Sequence, residues 1–164
     1  MAPGQREGGE PRGGGQAGAS LTEVLIVLAI IGAVSMIAAP NFIDWYSRAE
    51  FRRAVVDFQG NLSLARMAAM NRNTTLTVSL AIEDGRVTAS FTAGGVDVLP
   101  KQTLSKEVAG WGGTSPVQFS SLGLRVGGGS GTQTITLTSR HGLTYEVQVT
   151  PAGKVRWCPA SPCP

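Results

Sequence analysis

A chain of 164 residues is long enough for one modest domain plus a membrane segment. Charged residues make up 15% and the net charge is +3, so charge by itself gives no ground for nucleic-acid binding. The basic excess is late: residues 1–18 balance, residues 19–100 carry six basic and seven acidic groups, and residues 101–164 carry six and two.

Residues 1–18 contain Gly8-Gly9 and Gly13-Gly14-Gly15 and little that is apolar, which predicts a disordered leader. From Leu21 to Ala39 the chain is almost wholly apolar. As a helix this run rises about 28 Å, close to the roughly 30 Å of a bilayer's hydrocarbon core. The bond after Ala39 is a poor signal-peptidase site, with large Ile37 at its third position back and Pro40 following. A retained membrane helix is therefore expected. Trp45 and Tyr46 follow the run, where amphipathic rings favour the membrane–water boundary. Pro40 removes a helical hydrogen bond, so a kink or local break is expected there.

Beyond Pro40 the pattern becomes amphipathic. Phe51, Val55, Phe58, Leu62, Ala65 and Ala69 recur at steps of three and four, with charged residues between them. Together the two halves predict one helix of roughly 50 residues, apolar then amphipathic, ending near Asn71-Arg72-Asn73. Strand patterns follow. Thr75–Leu80 and Arg86–Phe91 flank a turn at Glu83-Asp84-Gly85, and Gly94-Gly95 closes the pair. Residues 99–116 read as irregular, with Trp111 in a Gly-rich loop. Val117–Ser120 is a short strand, and Gly127–Gly131 a flexible loop with no phosphate-loop Lys-Ser/Thr after it. Thr132–Ser139, Leu143–Val149 and Lys154–Trp157 complete an antiparallel sheet, which the amphipathic half of the helix must cover. The fold class is α+β.

Catalytic chemistry is not expected. The single histidine, His141, sits in a turn, and no carboxylate pair, Ser/His/Asp set or metal-ligating cluster is arranged. No metal or cofactor is implied. Cys158 and Cys163 are too few for a closed zinc site; in an oxidising compartment they would form a small local disulfide, and otherwise they are free thiols on a tail.

Glu23 is the informative ionisable group. At the entrance of an apolar helix it gains from the N-terminal dipole and can lie among lipid headgroups. A cut just before Ala19 would create an α-amino group four residues away. Within one helix that amine can reach Glu23; between staggered copies it would instead neutralise Glu23 of the next subunit inside lipid and set the axial register of packed helices.

Gly18 ahead of Ala19-Ser20-Leu21-Thr22-Glu23, followed by the apolar run and Pro40, resembles the class III signal of type IV pilins and pseudopilins. The resemblance implies cleavage after Gly18 by a membrane prepilin peptidase, methylation of the new N-terminus at Ala19, an assembly charge at Glu23 and a helix kink at Pro40. Ala19 departs from the usual phenylalanine. It further implies a leader over 1–18, a transmembrane and assembly helix over 19–45, and a pilin-like periplasmic domain over 46–164.

Phe119-Ser120-Ser121-Leu122-Gly123 and the late stretch Thr150–Cys158 are similar to the GspH/FimT-type minor pseudopilins. Two functions are then expected in competition. One is a non-catalytic minor pseudopilin at the tip of a type II secretion pseudopilus, working in protein secretion. The other is a FimT-type minor pilin of a type IV pilus, with DNA bound through Lys154 and Arg156; those two residues are otherwise ordinary charges that keep an edge strand from aggregating. The partners implied are other pilins or pseudopilins in a helical filament, the prepilin peptidase, an inner-membrane assembly platform and membrane lipid. The place implied is the bacterial inner membrane, crossed once, with the C-terminal domain in the periplasm.

Overall fold

The computed structural model describes residues 20–159 and residue 163, with residues 36–41 described by their backbone alone. The chain divides into two units at Phe42 and Ile43. Helix α1 spans Leu21–Asn71, with Glu23 in its first turn. Ser20 opens it: its carbonyl accepts from the N–H of Glu23 at 2.9 Å and of Val24 at 3.2 Å. The expected stop is present. Asn73 takes a φ of 49°, and the N–H of Thr74 reaches back to the Ala69 carbonyl at 3.1 Å, satisfying a carbonyl of the last turn.

In the second unit the predicted stripe is the centre of the core. Phe51, Val55, Phe58, Leu62, Ala65 and Ala69 are all fully buried. They pack with residues of two antiparallel sheets. The first sheet takes β1 (Leu76–Glu83), β2 (Arg86–Ala93) and β3 (Val96–Thr103), and also β5 (Val117–Phe119) and β6 (Arg125–Val126). Its order is β3-β2-β1-β5-β6. The second sheet takes β4 (Val108–Gly113), β7 (Gln133–Ser139), β8 (Thr144–Val149) and β9 (Val155–Cys158), in the order β4-β7-β8-β9. Val78, Phe91 and Phe119 supply the core from the first sheet, and Ile135, Leu137, Val147 and Val149 from the second.

The turn at Asp84-Gly85 is as expected: both residues have positive φ, 51° and 71°, and Glu83 pairs with Arg86 across it. Residues 99–116 correct the sequence reading. They are not irregular but contain the end of β3 and all of β4. Pro100 hid β3, and the position explains how a strand holds it. Strand β3 is the edge of its sheet, and between the pairs Ala89–Gln102 and Phe91–Leu99 it carries an extra residue, a bulge containing Pro100. Three glycines hid β4, where Trp111 pairs with Leu137 instead of lying in a loop. The single expected sheet is two.

Candidate functional site

Two places carry the residues singled out in the sequence: the start of α1 and the last strand with its tail. Gly18 and Ala19 lie outside the described residues. Glu23 lies in the first turn of α1 and is exposed. Around it the side chains from Leu21 to Val34 are bare, Leu21 at 78%, Ile26 at 61% and Val34 at 60% exposure. Pro40 is helical in backbone. Among the described residues no helix is long and apolar enough to cross a membrane; the apolar run enters that description whole only as far as Ser35.

At the other place, β9 is the end strand of its sheet. Arg156 in β9 and Lys154 just ahead of it are both exposed. Val155 and Trp157 turn the other way and pack on the core. Arg156 Nε donates to Gln148 Oε1 at 2.9 Å, and Gln148 Nε2 donates to Glu146 Oε2 at 3.4 Å. Glu146, only 6% exposed, accepts the backbone N–H of Cys163 at 3.1 Å. Cys158 and Cys163 are joined in a disulfide, with Cα atoms 5.8 Å apart. Cys163 therefore lies against Glu146. Nothing in the sequence marks that residue except its place on the outer face of an alternating strand. Glu146, Cys158 and Cys163 cluster within 4.8 Å, but both sulfurs are spent in the disulfide and offer no thiolate to a metal.

The two late motifs meet in space. The N–H of Arg125 donates to the Pro151 carbonyl at 3.1 Å, and a side chain at Gly153 would fall on the carbonyl oxygen of Gly123. Arg66 of α1 clips the same carbonyl through Nε at 2.8 Å. Gly123 and Gly153 are thus where the helix, the loop before β6 and the turn before β9 converge. The Gly127–Gly131 stretch, read as flexible, wraps a buried guanidinium. Arg125 donates to the carbonyls of Gly127, Gly129 and Gly131, and only carbonyl dipoles face that charge in these bonds. His141, half exposed in its turn, stands 3.8 Å from Glu107.

A long N-terminal helix laid on antiparallel sheets is the pilin-like α+β fold, as the sequence led us to expect. By fold the chain is similar to type IV pilin-like proteins. Among solved structures it is similar to the type IV minor pilin FimU of Pseudomonas aeruginosa, with a TM-score of 0.55 and 18% identity over 71% of this chain and 94% of that one. The minor pseudopilin EpsH from the Type 2 Secretion System of Vibrio cholerae gives a TM-score of 0.48 and 14% identity, over 66% and 95%. A curated relative, the type IV major pilin protein PilE1 of Neisseria gonorrhoeae, is 28% identical in an alignment of 116 residues. That alignment covers 59% of this chain and 63% of the relative, so the chain spans less than two thirds of the relative's length. No family model matches the chain.

Proposed function

We propose that the chain is a non-catalytic minor subunit of a pilin-type filament. Before assembly its apolar helix holds it in the bacterial inner membrane with the domain over 46–164 in the periplasm. In the filament the same helix packs against those of other subunits. The observation that carries this is the bare apolar start of α1, whose later residues form the core of a folded domain. Such a surface needs lipid or other helices. In this reading the prepilin peptidase cuts after Gly18 and methylates Ala19, Glu23 meets the amine so created on a neighbour, and Pro40 kinks the helix. An assembly platform in the inner membrane draws the subunits together.

Gly18 and Glu23 test the scheme separately. A Gly18→Leu chain should keep its leader and stay out of filaments. A Glu23→Ala chain should be cleaved normally yet be incorporated at least tenfold less, read by blotting sheared filaments against the membrane fraction. Normal incorporation of Glu23→Ala would sink the register argument.

The secretion pseudopilus is the machine favoured by the GspH/FimT-like late strand. The type IV pilus is the second reading, favoured by the likeness to FimU and PilE1, both type IV pilins by name. Exposed Arg156 on the edge strand β9 and Lys154 just ahead of it would then contact DNA phosphates. The DNA affinity of residues 46–164 at two salt concentrations separates the two. DNA uptake predicts salt-dependent binding whose slope falls by about two in Lys154→Ala/Arg156→Ala. Absence of such binding leaves the secretion reading.

A further inference from the structure

Just past Ile43 the exposed side of α1 carries Trp45, Arg48, Arg52 and Val56 at steps of three and four, with Arg53 alongside. With Tyr145 of β8 they line an open groove of about 520 Å³. The acids of this stretch, Asp44, Glu50 and Asp57, lie off that side and do not line it. Arg53 is 4.0 Å from Asp57 and so is partly neutralised. Among the described residues Arg48 and Arg52 enter no ion pair. The Cζ of Arg52 lies 5.4 Å from the centre of the Trp157 ring, which stacks on Tyr145 at 5.6 Å. A cation–π contact consumes no N–H donor, so both guanidinium groups keep their forks for an acceptor.

We propose that this groove binds the phosphate of an anionic glycerophospholipid while the subunit resides in the membrane. The proposal rests on the membrane anchorage put forward above and names the lipid class it prefers. Guanidinium forks suit phosphate better than any other side chain does. The lipid source, as against a free phosphate or a nucleic acid, follows from the neighbours of the groove. Phe42, Ile43, Trp45 and Tyr46 are each more than half exposed, and Trp and Tyr rings settle at headgroup level. With the Trp45 ring there, Arg48 and Arg52 start about 4.5 and 10.5 Å above it along the helix. Helical side chains lean back toward the N-terminus, which aims both guanidinium groups down at the phosphates.

The test uses the full chain in dodecyl maltoside micelles doped equally with phosphatidylglycerol and phosphatidylcholine, with retained lipids counted by native mass spectrometry. Phosphatidylglycerol should be retained about 25-fold over phosphatidylcholine, with about fivefold lost per arginine neutralised. Arg48→Gln/Arg52→Gln should therefore abolish the preference. Arg48→Gln alone, which leaves the Trp157 contact intact, should lower it about fivefold. Arg86→Gln, on an exposed turn far along the chain, should keep it. Equal retention of the two lipids, or an unchanged preference in Arg48→Gln/Arg52→Gln, would overturn the proposal. So would displacement of the lipid by millimolar glycerol phosphate, which marks a free-phosphate site, or by an oligonucleotide at equal phosphate concentration. Anchorage is read separately, by flotation with pure phosphatidylcholine vesicles. A chain that does not float loses the anchor and the proposal with it; one that floats without a headgroup preference loses the proposal alone.

Discussion

Gly153 shows how one residue ties the late motifs together. Its φ is +74°, a region that costs an L-residue about 1–2 kcal/mol. A Cβ there would also strike the Gly123 carbonyl and crowd Arg66 Nε, and the backbone oxygen cannot rotate away as a side chain would. Crowding of this kind adds about 1–3 kcal/mol. Gly153→Ala should therefore lower stability by about 3 kcal/mol in urea unfolding. Gly142, with a φ of +76° and no atom within 4 Å of the added methyl, is the matched control. Gly142→Ala should cost about 1 kcal/mol, the backbone contribution alone. Equal costs at the two sites would show that the Gly123–Gly153 approach contributes nothing.

At the scale of elements, legibility in the sequence followed the strength of a local period. The stripe from Phe51 to Ala69 repeats over five turns, and each of its members is fully buried. The Asp84-Gly85 and His141-Gly142 turns were legible because a tight reversal demands residues that tolerate positive φ. Strand β3 was not, because Pro100 argues against a strand until one knows that it lies on an edge and in a bulge. Strand β4 was not, because Gly110, Gly112 and Gly113 carry no side chain to alternate, and its pairing with β7 is supplied by distant residues. The Arg125 wrap was invisible for a related reason. Glycines read as freedom, while their carbonyls are held by a buried charge that no local pattern announces. At the tail, the positions of Lys154 and Arg156 could be read from alternation. The Glu146–Gln148–Arg156 chain of hydrogen bonds could not, since it depends on the register that sets Gln148 of β8 opposite Arg156 of β9.

At the scale of the whole molecule, apolar residues are used in two opposite ways. The buried core begins at Phe51 and draws on no earlier apolar residue among those described. Before it, nine large apolar side chains between Leu21 and Val34 are exposed. Removing them from water is worth on the order of 10 kcal/mol even if each is only half covered, comparable to the whole stability of a small domain. The chain should therefore not persist as a monomer in water, while a fragment that lacks this stretch should lose none of its core. Residues 46–164 should remain monodisperse without detergent and unfold in urea within about 0.5 kcal/mol of the full chain, both measured in the same mild detergent. The full chain should float with lipid vesicles and the fragment should not. A fragment that aggregates, or that unfolds at markedly lower urea, would show that the early helix supports the domain as well as anchoring it. The separation of anchor from fold, on which the filament reading depends, would then be lost.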